Sequence, residues 1–149
     1  MKLIVILFSL LSVTECANAK KAISFSQNEM QSTLELNGIY IIESLLNEDV
    51  STYNLEVHFS AEAQNINGFS GCNRFFGNYN FNDNTITFGP MGSTKMFCDE
   101  KANSIESQLF EALSKIDHIN SNGSTLEFIS DKSVVLTMSK KLQKTPVMF

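Results

Sequence analysis

Between residues 34 and 142 the hydrophobic positions of this chain follow mostly a period of two. Leu55-Glu56-Val57-His58-Phe59 alternates, which predicts a strand with Leu55, Val57 and Phe59 inward and Glu56 and His58 outward. Residues 37–46 carry Ile39, Tyr40, Ile41 and Ile42, a β-rich run too dense to show which face is buried. Ile66-Asn67-Gly68-Phe69 reads as a short strand. Tyr79-Asn80-Phe81 and Thr85-Ile86-Thr87-Phe88, joined by Asn82-Asp83-Asn84, read as a hairpin that Gly89-Pro90 ends. Asn122-Gly123 between His118-Ile119-Asn120 and Leu126-Glu127-Phe128-Ile129 predicts a second tight hairpin. Asp131-Lys132-Ser133 turns the chain again into Val134-Val135-Leu136-Thr137-Met138. The expectation is about seven or eight strands, nearly all antiparallel because their connections are short.

One segment has the longer period. Ile105, Leu109, Phe110, Ala112, Leu113 and Ile116 form a stripe at helical spacing. Asn103 and Glu106 have capping-box spacing, which places the helix start near Ser104. Lys115 suits its C-terminal end. A single amphipathic helix must bury its stripe on the sheet, so the predicted class is α+β: an antiparallel, barrel-like sheet with one packed helix over about 104–115.

The N-terminus changes the compartment. Met1-Lys2 precedes an apolar run over 3–11, interrupted by Ser9, and Ala17-Asn18-Ala19 has the small-x-small pattern of a signal-peptidase site. The run is shorter than the roughly 20 residues that cross a bilayer. The reading is a signal peptide over 1–19, cleaved between Ala19 and Lys20, with an exported product that is periplasmic or secreted. A buried N-terminal helix or strand is the alternative. Acylation at Cys16 is disfavoured by Glu15, which stands where lipoprotein processing resembles a small-residue requirement. Residues 20–33 read as a polar linker, 34–142 as one domain, and 143–149 as a tail behind Lys144-Thr145-Pro146.

Charge narrows the partners. With 11 Lys and Arg against 16 Asp and Glu, the net charge is −5, and Arg74 is the one arginine. That balance argues against nucleic acid and against anionic membrane surface, both of which need clustered cations. With 12 Phe, the chain can fill a core without a disulfide.

The candidate chemistry lies in two segments, Gly71-Cys72-Asn73-Arg74-Phe75-Phe76-Gly77-Asn78-Tyr79 and Ser93-Thr94-Lys95-Met96-Phe97-Cys98. Gly71 and Asn73 both tolerate positive φ and allow a sharp bend. The Arg74 guanidinium either staples that bend or anchors an anionic group of a ligand or partner. Export makes Cys72 and Cys98 candidates for a disulfide. The competing reading is a reactive Cys72 thiol activated by Arg74, with no nearby His base and no C-x-x-C to support it. His58 and His118 stand singly, without a second ligand at metal spacing. Glu48-Asp49 and Asp99-Glu100 read as solvated loop or helix-approach charge. Asn122-Gly123-Ser124 fits a glycosylation sequon, although the hairpin already explains it. Phe75, Phe76, Tyr79, Phe81, Phe88 and Phe97 read as core, with any exposed surplus marking a partner or ligand patch.

These segments, with Glu106 heading a helix, resemble the META/HslJ domain family. Its motifs are matched here by Gly71, Cys72, Asn73, Arg74, Gly77 and Tyr79, then Ser93, Thr94, Met96 and Cys98. Leu36-Asn37-Gly38-Ile39-Tyr40 resembles the family's first strand, with Tyr40 where tryptophan is usual. The resemblance covers about residues 34–142. It implies an α+β fold, an envelope or secreted location and an association with heat shock or stress. It carries over no catalytic residue and no cofactor. Three readings follow: a non-enzymatic domain that binds or supports a protein partner, a carrier of a small apolar ligand, or a thiol-based redox protein using Cys72 and Cys98. An exposed aromatic patch near Phe75 and Phe76 favours the first, an open apolar cavity the second, a free acidic thiol the third.

Overall fold

The computed structural model describes residues 34–142. The expected signal peptide with Cys16 and the expected Ala19–Lys20 cleavage point, the stretch 20–33 and the tail 143–149 lie outside the described residues. The elements run β1 (Gly38–Leu45), β2 (Glu48–Asp49), a 3-10 turn (Ser51–Tyr53), β3 (Glu56–Ser60), β4 (Asn65–Phe69), β5 (Arg74–Asn82), β6 (Thr85–Phe88), β7 (Gly92–Ser93), α1 (Glu100–Lys115), β8 (His118–Asn122), β9 (Thr125–Ser130) and β10 (Ser133–Lys140). Every pairing is antiparallel. Eight strands, in the order β10-β9-β8-β6-β5-β4-β3-β1, close into a barrel through β1 on β10. The two short strands are additions, β2 against β1 and β7 against β5. The expected seven or eight strands are therefore the barrel itself, and each added strand is too short for periodicity to reveal.

Alternation buries one face of each strand. Val57 and Phe59 point inward from β3, as the pattern predicts, with Leu55 buried just ahead of it. In β1 the buried face is Tyr40, Ile42 and Leu45, the phase breaking at a bulge between Ile42 and Ser44. Phe59 is the hub of the interior. Its ring meets Tyr40 and Tyr79 edge-on at 5.7 and 5.4 Å and stacks on Phe128 at 6.2 Å. Side chains thus fill the lumen, as expected for an eight-stranded barrel.

The Tyr79 hydroxyl lies 3.2 Å from the carbonyl oxygens of Leu36 and Ser60, to which it donates. Burial, with a smaller contribution from the Glu35 charge, holds the Tyr79 phenol above its usual range, and burial does the same to Tyr40. Unfolded tyrosines ionise near pH ~10, so the folded state binds these protons more tightly. The stabilisation is complete below that pH and is lost as pH rises towards the folded pKa values. Urea midpoints should fall more steeply above pH ~10 than in Tyr79→Phe, which itself loses about 1 kcal/mol at neutral pH with the hydrogen bond.

Because adjacent strands alternate in direction, the connections 46–55, 70–73, 89–117 and 131–132 gather at one end of the barrel. The helix lies in the third of these and covers that end. Ala102, Ile105, Leu109, Ala112 and Leu113 are its buried positions, and Phe110 meets Phe75 edge-on at 5.7 Å. The helix starts one turn earlier than the expected Ser104. Asp99 is its N-cap, accepting from the Ala102 N–H at 3.0 Å, so the capping box expected from Asn103 and Glu106 does not form.

Candidate functional site

The two cysteine-centred segments meet at the helix-covered end. Residues 70–73 connect β4 to β5, and residues 94–99 lead from β7 into α1. Gly71 has φ 92°, so the bend uses the left-handed region where glycine is favoured. Asn73 does not: its backbone has no positive φ, and its value lies in its side chain. Asn73 is 3 % exposed. Its Oδ1 accepts from the Thr94 hydroxyl at 2.8 Å and from the Met96 N–H at 2.7 Å. Its Nδ2 donates to the Met96 carbonyl at 3.3 Å and to Glu106 Oε1 at 3.1 Å. One amide therefore pins both motifs and the helix.

Glu106 completes the arrangement from α1. Its Oε2 accepts from the Asn73 N–H at 3.2 Å and from the hydroxyl of Ser70, which is fully buried. Ser70 Oγ also accepts from the Asn73 N–H at 3.0 Å, and the Ser70 N–H donates to the Asn73 carbonyl at 2.8 Å. Asn103 turns to the Cys98 carbonyl, donating at 2.9 Å. The roles of Ser70, Asn103 and Glu106 escape sequence reasoning: the Asn73–Glu106 contact spans 33 positions, and the i, i+3 spacing of Asn103 and Glu106 imitates a cap.

Cys72 and Cys98 form a disulfide across 26 positions, with Cα atoms 5.9 Å apart. The bridge fastens the bend to the residue before the helix cap. Of the other motif residues, Ser93 pairs with Phe75 in the β5–β7 ladder, and Thr94 Oγ1 accepts from the Arg74 N–H at 3.1 Å. Gly77 leaves room for Met91, whose Sδ would lie 2.4 Å from an added Cβ. Tyr79 stands further along β5 in the core. Arg74 departs from the stapling role. Its side chain is exposed and, among the described residues, its guanidinium has no hydrogen-bond or ion-pair partner, because Asn73, Ser70 and Glu106 hold the bend without it.

The aromatic residues divide sharply. Phe75 and Tyr79 are buried, and Phe81 and Phe88 pack against the core. Phe76 is 64 % exposed, Met96 64 % and Phe97 97 %. A cavity of about 170 Å³ opens elsewhere, beside the last turn of α1, lined by Leu46, Ala112 and Val135 with Glu111, Lys115 and Ser130. His58 and His118 are exposed on separate strands, and among the described residues no group of three His, Cys, Asp or Glu is placed to hold a metal ion. No helix among the described residues is long and apolar enough to cross a membrane.

The chain matches the META domain family over residues 20–142. A search of curated proteins matched none. Solved structures share the fold at low identity. An NMR structure of a protein from Burkholderia xenovorans has a TM-score of 0.59 at 22% identity, covering 72% of this chain and 85% of that one. A second NMR structure gives 0.56 at 23%, covering 70% and 90%. A crystal structure of a DUF4847 family protein from Bacteroides vulgatus gives 0.54 at 12%, covering 74% and 97%.

Proposed function

The chain belongs to the META domain family, and on that premise we propose that it is a non-enzymatic, exported binding or structural-support module, acting under stress in the periplasm or outside the cell. Its protein partner docks on the segment Lys95-Met96-Phe97. The observation that carries this reading is Phe97, 97 % exposed one residue from a disulfide-bonded cysteine. A large ring held fully in water on a tethered segment adds nothing to the barrel, yet it is pre-ordered for a partner, which reduces the entropy lost on binding. The polar side chains of the motif support the same reading. Ser70, Asn73, Thr94 and Glu106 bond to one another, which leaves their hydrogen-bonding capacity engaged in holding the segment. Arg74 keeps its planar fork for a carboxylate on the partner.

A photo-crosslinker at position 97, used in the exported fraction of the source cells, should yield one predominant adduct at a defined mass. Unlabelled native protein should compete for it, and Phe97→Ser should not, while the variant's stability stays within about 0.5 kcal/mol of the parent. Competition by Phe97→Ser equal to that of the parent would refute the docking site. The intact mass of the exported protein should begin at Lys20; a mass that retains Met1 would refute the processed, exported form.

A further inference from the structure

Beyond the protein-docking segment, we infer that the outer face of β4, β5 and β6 is a binding surface for a neutral polysaccharide, with Phe76 as the platform on which a sugar ring stacks. The inference begins with an inconsistency. Asparagine is depleted in strands, yet β5 presents Asn78, Asn80 and Asn82 at successive outward positions after Phe76. Neighbouring strands extend the same chemistry, since Asn67 of β4 lies opposite Phe76 and Thr87 of β6 lies opposite Asn80. All are exposed. Residues that violate local strand preference without a packing return are where a surface is expected to serve a ligand.

Charge selects the ligand class. Arg74 stands at the start of the outward row of β5, but the positions that follow it, Phe76, Asn78, Asn80 and Asn82, carry no charge, nor do Asn67 and Thr87 beside them. Primary amides donate and accept side by side, as vicinal hydroxyls do, so a neutral polyol can satisfy them without burying an unpaired charge. Along β5 these groups recur roughly every 7 Å, and across strands about every 5 Å, a grid that an extended chain of sugar rings can follow.

The platform is built rather than accidental. A Cβ added at Gly92 would lie 2.6 Å from Phe76 Cζ and 2.9 Å from Cε2. The ring therefore lies across the Gly92 backbone of β7, with one face supported and the other open to solvent at 64 % residue exposure. A supported, half-bare aromatic face suits the weakly polarised C–H face of a sugar ring, which meets a π-cloud without competing hydrogen bonds.

The test is an NMR titration of the intact protein with cellohexaose, maltohexaose and chitohexaose, following backbone amides and the asparagine side-chain amides. At least one should give saturable shifts at Asn67, Asn78 and Asn80, with a Kd on the order of a millimolar or tighter. Phe76→Ala should weaken that binding by about tenfold or more, as should Gly92→Ala, which lifts the ring without removing it. Phe97→Ser should leave it unchanged, so loss of the protein partner and loss of glycan are separable. An unshifted asparagine set with all three sugars would overturn the inference. So would undiminished affinity in a folded Phe76→Ala variant, or binding confined to a charged polygalacturonate.

Discussion

Replacing Asn73 with alanine should destabilise the domain by roughly 3 kcal/mol, read as a lower urea midpoint at unchanged slope. The substitution removes an acceptor shared by the Thr94 hydroxyl and the Met96 N–H, and a donor to Met96 and Glu106. Each buried group left without a partner costs about 1–3 kcal/mol, but Thr94 and Met96 are exposed residues that water can reach in part, which holds the total below a simple sum. Asn73→Asp isolates the donor. It keeps the acceptor but sets a carboxylate against Glu106, raising the affinity of the pair for a proton in the folded state. Its deficit should therefore be greatest at neutral pH and shrink as pH falls through the carboxylate range. A loss below 0.5 kcal/mol for Asn73→Ala, about the size of an ordinary surface effect, would show that the network does not hold the two motifs together.

Losing the Cys72–Cys98 bridge should cost a comparable amount. For a closed loop spanning 26 positions, chain-entropy reasoning gives about 3–4 kcal/mol. Cys72→Ser with Cys98→Ser should lower the thermal midpoint accordingly, and reduction of the parent should reproduce the shift. The two effects should not add. The disulfide and the Asn73 side chain secure the same stretch, so once the bridge is gone Asn73→Ala should cost less, with a coupling on the order of 1 kcal/mol in a double-mutant cycle. Full additivity would mean that bridge and amide act on separate parts of the fold.

The barrel strands are legible wherever alternation is regular and turn residues intervene. Leu55, Val57 and Phe59 are inward as their spacing predicts, and Gly123, with φ 66°, makes the turn that Asn122-Gly123 announces. Legibility fails where a strand lacks contrast. β5 begins at Arg74 rather than near Tyr79, because Phe76 is outward and Gly77 is inward, the reverse of what hydrophobicity suggests. The first turn of α1 is equally hard to read. Its residues Glu100 and Lys101 are polar, and Ala102 alone faces the core, so the apolar stripe becomes visible only from Ile105. At the site, the cysteines and the glycine bend can be read from the chain. The partnership of Asn73 with Glu106 cannot, since it exists only after the helix has crossed the barrel end.

The closure of β1 on β10 also sets a timetable. Tyr40 pairs with Lys140 and Leu45 with Leu136, so one of the first strands made finds its neighbour only after about a hundred further residues have been synthesised. Until then β1 has β2 and β3 on one side and an open row of amides and carbonyls on the other, an edge on which a second nascent chain could pair. Such distant pairing also slows folding, because the chain must close a long loop before the contact repays it. A nascent chain that cannot finish its sheet early stays threadable for most of its synthesis, and the export proposed above would need that state at a translocation pore. The same delay makes the interval before β10 pairs with β1 the period when crowding with its own copies is most hazardous.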